Sequence, residues 1–448
     1  MNAYLQGIIL KSNVNSRQTI SIFDAVTIIV GIVVSVGIFK TPSLVAAHAG
    51  SEQAVMLVWL FGGVFSLVGA LCYAELASAY PHAGGDYHYM YKAFGGSVAF
   101  LFAWARMTVI QPGSIAVFAF VIGDYVSEVY RLGSYSSTYY AMLTIVVLTG
   151  VNLAGIRQGL NVQRVLLTAI IIGLLIAVSV GFAKVSPAIS TKTISPPTMS
   201  GIGIAMIFAL FTYGGWNEAA YISSEIRNPN RNIVRGLMYS IGVITVIYLI
   251  TNFVFIKSLG LEAVAKSGAV AADLLRSALG ETGARFISVL ISVAALSTMN
   301  GIIITGARTN FALGRDFALF SFLGHWHEHG STPRNALLLQ ASISLILVVL
   351  GTATRSGFGM MVEYTAPVFW FFFFMAGVSL FVLRKTEPDV ARPFRVPFYP
   401  VTPLLFCLVC LYLLQSSLAY TGKGAIIGVI VLLAGLPFIV LKNLRENG

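Results

Sequence analysis

The 448-residue chain carries very little charge. Only 10% of its residues are Asp, Glu, Lys or Arg, whereas 57% are hydrophobic. Soluble globular domains contain about 25% charged residues, so this composition excludes an ordinary soluble domain. A helix needs about 20 mostly apolar residues to cross the hydrocarbon core of a bilayer. The sequence therefore predicts an all-α protein that lies in a membrane and has the lipid bilayer as its surroundings.

Cysteine is also scarce, with only Cys72, Cys407 and Cys410. Three cysteines cannot form the disulfide framework of a small secreted protein. Cys407 and Cys410 are one helical turn apart within an apolar run, where small packing residues explain them better than redox or metal chemistry.

Several sequence features that would indicate catalysis are missing. The sequence has no Walker-type phosphate loop, so ATP-driven pumping has no support. The apolar runs contain no paired carboxylates and no His/Asp constellation, so we do not expect an enzyme. The run "HWHEH" at 325–329 lacks a cysteine or acidic partner at a fixed spacing. We therefore expect neither a metal nor a cofactor.

Long apolar runs fill most of the chain. No cleavable signal peptide is evident, so the first run is expected to insert uncleaved. We predict twelve membrane spans, near 20–47, 53–79, 96–127, 137–154, 162–183, 200–224, 233–256, 284–312, 335–353, 360–383, 399–419 and 424–441.

The basic residues predict the orientation of the spans. If the N-terminus is cytoplasmic, most of the 28 Lys and Arg residues fall in loops on the cytoplasmic side, as the positive-inside rule requires. The net charge of +11 then reflects topology and does not indicate nucleic-acid binding. We expect a multi-pass protein of the cell membrane with both termini in the cytoplasm.

Two spans contain glycines where a helix should be strongest. These stretches are "GIVVSVGIF" (31–39) in the first span and "FTYGGWN" (211–217) in the sixth. Glycine costs about 1 kcal/mol relative to alanine inside a helix. Interrupted segments in corresponding positions of two halves indicate a transporter site between inverted repeats. Unwound backbone persists at membrane depth only where it is buried in protein or lines a cavity.

Longer motifs reveal a resemblance to a known family. They are "CYAELASAYPHAGGDYHYMYKAFG" (72–95), "WNEAAYISSEIRNPNRNIVRG" (216–236), "NGIIITGARTNFALGRDFAL" (300–319), "TPRNAL" (332–337) and "RPFRVPFYP" (392–400). In this order the chain resembles the amino acid–polyamine–organocation superfamily and is similar to bacterial L-type amino acid transporters. The resemblance implies secondary transport of amino acids by alternating access.

The resemblance also implies a domain organisation. It implies twelve transmembrane helices, arranged as two LeuT-like inverted repeats of five helices plus two peripheral helices. The expected segments are a cytoplasmic tail (1–19), a first repeat (20–183), a second repeat (200–383) and the peripheral pair (399–441).

An unwound helix offers free N–H groups to an anion and free carbonyls to a cation. The resemblance places the carboxylate of an amino acid on the backbone N–H groups of Ser35, Val36 and Gly37. It places the ammonium group on the carbonyls of Val33, Phe211 and Gly214.

Side chains of the sixth span are implied to select and enclose the substrate. Phe211 matches an aromatic residue that closes over substrate, and Trp216 is either a gate or a packing residue. Asn217 lies where relatives that exchange arginine have an acidic residue, which favours a neutral substrate. The alternative is a cationic amino acid or polyamine antiporter, for which Glu218 is the candidate acid.

Charged residues near the cytoplasmic ends of the spans have two interpretations. They form an inner gate, or they extend to the membrane interface without a switching role. Among the six residues of this set, we keep Arg106 and Glu225 as gate candidates. The set is Glu75, Asp86, Arg106, Glu225, Arg235 and Arg308.

Three possibilities stay open for ion coupling, which are sodium, a proton or no coupling ion. Many relatives have a lysine in the fifth span, and the alignment places Ile170 there. Ser297 and Thr298 form a candidate sodium site, unless their hydroxyls bond to carbonyls one turn earlier. A channel would need a continuous polar path, which two isolated breaks do not provide.

Overall fold

The computed structural model describes residues 20–184, 194, 196–327, 330–353, 357–420 and 423–439. Within these ranges the chain is helical, apart from connecting segments and two isolated β-bridges. The predicted tail (1–19), most of the loop after the fifth span, His329 of "HWHEH" and the C-terminal residues 440–448 lie outside the described residues.

The helices carry our own labels in chain order. They are α1 Ile22–Val33, α2 Gly37–Ala49, α3 Glu52–Ala79, α4 Asp86–Phe94, α5 Gly96–Ala105, α6 Gln111–Val129, α7 Ser136–Ala154, α8 Ile156–Lys184, α9 Met199–Tyr213, α10 Pro229–Leu259, α11 Leu261–Lys266, α12 Val270–Leu279, α13 Glu281–Asp316, α14 Arg334–Ala353, α15 Gly357–Thr386, α16 Val401–Tyr420 and α17 Lys423–Leu433. Three further segments have other helical forms. They are a π-helical turn at Arg106–Ile110 and two 3₁₀ helices, η1 at Trp216–Glu225 and η2 at Ala318–Leu323.

The number of apolar helices confirms a multi-pass membrane protein. In the described part of the chain, nine helices are long and apolar enough to cross a bilayer, and the bent pair α1–α2 makes a tenth. Helix α9 has 15 residues and stops at the second glycine pair, so it is too short to count alone. The predicted total of twelve spans and the inverted repeats stay predictions.

Helix α1 starts with a capping box. The hydroxyl of Ser21 accepts a hydrogen bond from the N–H of Asp24 at 3.1 Å, and the carboxylate of Asp24 accepts one from the N–H of Ser21 at 3.2 Å. This reciprocal pair satisfies two N–H groups that the first helical turn leaves free. Asp24 also binds the guanidinium group of Arg164 on α8 at 2.5 Å. The start of α1 is therefore tied to the fifth predicted span.

The third span contains a local irregularity that the proline explains. Pro112 has no N–H group, so it cannot bond to the carbonyl of Thr108 one turn earlier. The hydroxyl of Tyr364 on α15 donates to that carbonyl instead, at 3.0 Å. The π-helical turn begins at Arg106, and such turns are frequent at functional sites.

The segment between α10 and α13 contains two short helices, α11 and α12. The chain is extended at Ser267, and the hydroxyl of Ser267 accepts a hydrogen bond from the N–H of Ala269 at 3.0 Å. This local bond replaces a helical one, and it separates the two helices.

Candidate functional site

The first break interrupts the first span near its middle. Helix α1 ends at Val33 and α2 begins at Gly37, and the two axes are bent by 51°. Ser35 and Val36 lie in the gap, and within the described ranges their N–H groups have no backbone acceptor. The break therefore presents free donors beside the N-terminus of α2, whose dipole also favours an anion.

The second break lies at the glycine pair of the sixth predicted span. Gly214 is extended, with ψ of 152°, and Gly215 has φ of +112°. Residues other than glycine rarely adopt this backbone conformation. A Cβ atom at position 215 would also lie 2.7 Å from the Cγ2 atom of Ile32 on α1. Gly215 therefore allows both the turn and the close approach of the two breaks.

The hydroxyl of Tyr248, on α10, joins the two breaks. It lies 2.8 Å from the carbonyl oxygen of Val33 and 3.1 Å from that of Thr212. These carbonyls lie at the ends of α1 and α9, where no helical N–H is left to bond them. On the other side of the breaks, the hydroxyls of Thr41 and Thr212 are 2.7 Å apart. The two broken spans therefore form one hydrogen-bonded unit.

The carbonyls predicted to hold an ammonium group are partly occupied. That of Val33 accepts from Tyr248, and that of Phe211 accepts from the N–H of Gly214 at 3.2 Å. A carbonyl oxygen has two lone pairs, so each of them can accept one further hydrogen bond.

Burial differs between the two sides of the breaks. Ser35 and Gly37 are half-buried, Gly214 is exposed, and the side chain of Phe211 is 55% exposed. In contrast, nearly all of η1 and the end of α1 are buried. The accessible residues thus lie toward α2 and α9, and the covered ones toward α1 and η1.

The position of Trp216 favours packing over gating. Its ring is only 4% exposed. It contacts the ring of Tyr73 at 5.3 Å and that of Phe373 at 5.4 Å, measured between centroids. A Cβ atom at Gly69 would lie 2.7 Å from the indole ring, so α3 uses a glycine to admit it.

Asn217 and Glu218 are both buried but differ in their partners. Glu218 accepts a hydrogen bond from Arg106 at 2.6 Å and lies 3.3 Å from the amide nitrogen of Gln111. For the side chain of Asn217, the described residues provide no hydrogen-bond partner. The negative charge of Glu218 is therefore balanced by an arginine, while the amide of Asn217 stays available.

Two buried arginines hold η1 in place. The guanidinium group of Arg106 pairs with Glu218 and lies 3.5 Å above the ring of Tyr221. Arg308 on α13 binds both carboxylate oxygens of Glu225, at 2.6 and 3.0 Å. The gate candidates Arg106 and Glu225 thus belong to separate ion pairs on the same short helix.

The other charged residues of the predicted gate set have different surroundings. Glu75 binds Arg384 on α15 at 2.6 Å, so it fastens two spans together. Asp86 accepts hydrogen bonds from two tyrosines. Arg235 is exposed on α10.

The candidate ion site joins α13 to the first break. Ser297 donates to the carbonyl of Gly31 at 3.0 Å. Thr298 lies 3.0 Å from the carbonyl of Ile32 and 3.2 Å from that of Ala294, one turn earlier on its own helix. Of the two hydroxyls, only that of Thr298 thus bonds to a carbonyl one turn earlier on α13. Ile170, at the position where relatives have a lysine, is fully buried.

Sequence reasoning missed two residues here, Gln163 and Tyr248. The amide nitrogen of Gln163 donates to the hydroxyl of Ser297 at 2.9 Å, and its oxygen accepts from Asn300 at 2.8 Å. Asn152 in turn donates to Asn300 at 2.8 Å. A polar residue in an apolar run was the available signal, but the sequence did not show which spans these side chains would join.

Sequence comparisons relate the chain to amino acid permeases and transporters. The profile of the Amino acid permease family matches residues 20–436. The alignment with Asc-type amino acid transporter 1 of Mus musculus is 28% identical over 440 residues. It covers 95% of this chain and 81% of that protein. The chain is 28% identical over 437 residues to large neutral amino acids transporter small subunit 2 of Mus musculus, with coverage of 95% and 81%. It is 26% identical over 424 residues to the serine/threonine exchanger SteT of Bacillus subtilis, with coverage of 94% and 96%.

Proposed function

The chain belongs to the Amino acid permease family, and we propose on this basis that it exchanges small or medium neutral amino acids across the cell membrane. Its relatives are amino acid transporters and exchangers, so amino acid transport, and not catalysis, is the activity of the family. Neutral specificity, exchange, the location in the cell membrane and cytoplasmic termini are our proposals for this chain.

The observation that carries the proposal is the pair of helix breaks that Tyr248 joins. An amino acid needs separate partners for its carboxylate and its ammonium group away from bulk water. In our proposal, the N–H groups of Ser35, Val36 and Gly37 bind the carboxylate. The free lone pairs of the carbonyls of Val33, Phe211 and Gly214 bind the ammonium group. Neither interaction places a full protein charge in the membrane.

The partners of Glu218 support a neutral substrate. A cationic amino acid or a polyamine needs an uncompensated acid near the site, and Glu218 was the candidate. Arg106 already balances its charge at 2.6 Å. Asn217 is the neighbouring polar side chain without a partner in the described chain, and its amide can bond a neutral side chain. The cationic alternative therefore has less support.

Burial around the breaks supports a cycle of alternating access. The exposed side at α2 and α9 is the open entrance in our proposal, with Phe211 as the lid that closes it. The buried side is held shut by the ion pairs of Arg106 and Arg308 with η1. A parallel backbone bridge adds to this closure, since Ile20 bonds to Glu225 and Arg227 at 3.0 Å each. These contacts must separate for release on the other side.

The polar contacts around the candidate ion site support transport without a coupling ion. Sodium needs several oxygen ligands, and Ser297 and Thr298 with the carbonyls of Gly31 and Ile32 are of the right type. However, both hydroxyls lie within hydrogen-bond distance of carbonyls, and the amide of Gln163 donates to Ser297. We propose uncoupled exchange, with sodium and proton coupling as the alternatives.

The first prediction concerns the substrate. In proteoliposomes loaded with a labelled neutral amino acid, external serine, threonine or alanine should accelerate efflux, whereas arginine and putrescine should not. Asn217→Asp should reduce neutral exchange, because it adds an uncompensated buried charge. Acceleration by arginine or putrescine alone would support the cationic alternative instead.

The second prediction tests the junction of the two breaks. Tyr248→Phe leaves the carbonyls of Val33 and Thr212 without their donor, which costs about 1–3 kcal/mol. Exchange should fall by roughly five- to 150-fold, since about 1.36 kcal/mol corresponds to a factor of ten. The control is Tyr364→Phe, which removes a part-buried hydroxyl from the carbonyl of Thr108.

Both variants should lose thermal stability, but only Tyr248→Phe should lose most of its exchange. Equal loss of exchange in the two variants would show that Tyr248 has a general packing role.

The third prediction concerns ions. Replacing external and internal sodium with choline should leave the initial rate of exchange unchanged, because both hydroxyls already bond to carbonyls and Gln163 donates to Ser297. Thr298→Ala should then give the same rate in both salts. A steep loss of rate in choline that Thr298→Ala reproduces in sodium would contradict uncoupled exchange and support the sodium site.

A further inference from the structure

A buried carboxyl group outside the proposed substrate site has no obvious role in binding. Asp86 is the first residue of α4, in the connection between the second and third predicted spans, and it is 4% exposed. Its Oδ2 atom accepts hydrogen bonds from the hydroxyls of Tyr73 at 3.0 Å and Tyr221 at 2.7 Å. Its Oδ1 atom is buried and has no partner among the described residues.

An ionised carboxylate with one unbonded oxygen is costly in such a place. Leaving a buried acceptor unsatisfied is unfavourable, and more so when the group is charged. The two neutral tyrosine donors do not supply a compensating charge. Binding a proton removes the negative charge and therefore most of this cost.

The charges around Asp86 do not balance when every group is ionised. Asp86 and Glu218 are two carboxylates, and Arg106 is the cation close to both. Arg106 forms its ion pair with Glu218, which also contacts Gln111. One proton would make the cluster neutral. Asp86 is the better place for it, because Glu218 already has charged and polar donors.

Several elements around Asp86 contribute titratable or charged groups. The nearby groups are Tyr73 of α3, Tyr89 of α4, Arg106 of the π-helical turn, and Glu218 and Tyr221 of η1. The other charged groups on adjacent helices have their own partners. Arg384 of α15 binds Glu75, and Asp316 of α13 accepts a hydrogen bond from Tyr87.

We propose that Asp86 is a proton-binding site that controls opening of the transporter on the side of η1. Tyr221 connects this site to the gate, because it bonds to Asp86 and stacks on Arg106 at 3.5 Å. When η1 moves away, Asp86 loses this cover and is hydrated. The closed arrangement therefore holds the proton, and the open arrangement releases it.

The direction of the pH effect follows from burial. In the closed arrangement burial raises the pKa of Asp86 from 3.8 to about 6, against the opposing effect of Tyr221, Arg106 and Tyr73. In the open arrangement the pKa returns toward its ordinary value. A group that binds a proton more tightly when closed favours closure at low pH, and this contribution is lost as pH rises from about 4 to about 6.

The site itself is tested without transport. In the purified wild-type protein, an infrared band of a protonated carboxylic acid should appear as pH falls through about 6. Asp86→Asn should lack this band. Tyr73→Phe should move its midpoint to higher pH, because it removes a donor that stabilises the ionised form. The matched control Tyr89→Phe should leave the midpoint unchanged, since the hydroxyl of Tyr89 has no partner among the described residues.

The consequence for exchange is tested in proteoliposomes with separate buffers on the two sides. This second test rests on the proposed function, whereas the infrared titration does not. Lowering the pH from 7 to 5 on the η1 side should raise the ratio of closed to open protein about tenfold, and slow exchange accordingly. Asp86→Asn should exchange slowly at both pH values.

The two tests together separate the possible failures. A band that persists in Asp86→Asn, or equal midpoints in Tyr73→Phe and Tyr89→Phe, would overturn the proton site. If the band titrates but the exchange rate does not change with pH on the η1 side, the proposal that Asp86 controls the gate is overturned. Absence of exchange in the wild type would contradict the proposed function and leave the infrared result standing.

Discussion

The membrane forces every backbone polar group at depth to find a partner, and the rest of this structure depends on how that constraint is met at two helix breaks. No water in the hydrocarbon core can bond a free N–H or carbonyl group. At the first break, the last carbonyls of α1 receive hydrogen bonds from Ser297, Thr298 and Tyr248. Among the described residues, the N–H groups of Ser35 and Val36 donate to no backbone carbonyl. The structure thus satisfies these acceptors internally, and in our proposal the free donors bind an anion.

This division explains why α10 and α13 matter to the breaks in other spans. Hydroxyls of both helices hold the broken ends in place, so in our proposal a substrate meets a fixed set of donors. Preorganised donors bind an anion without the cost of arranging them first. The buried arginines act on η1, because Arg106 and Arg308 fasten it through Glu218 and Glu225. Removing one partner of a buried pair leaves an unpaired charge, so these contacts are either made completely or released completely.

The sequence predicted the features that depend on local chemistry. Both breaks were predicted from glycines, because glycine weakens a helix wherever it occurs, and the structure confirms that helices stop at Val33 and Tyr213. What depended on long-range pairing was not predictable. Tyr248 lies in an apolar run and Gln163 at the polar start of the fifth predicted span, and only the packing of distant spans gives them partners. Likewise, Glu218 was the candidate acid for a cationic substrate until the structure placed Arg106 beside it.

The central claim is that the two breaks, joined by Tyr248, bind an amino acid through backbone groups. A structure of the protein with a bound neutral amino acid tests it most directly. The account predicts that the carboxylate lies within hydrogen-bond distance of the N–H groups of Ser35 and Val36, with the ammonium group at the carbonyl ends of α1 and α9. An amino acid bound elsewhere, or held at its carboxylate by an arginine or lysine side chain, would contradict the account.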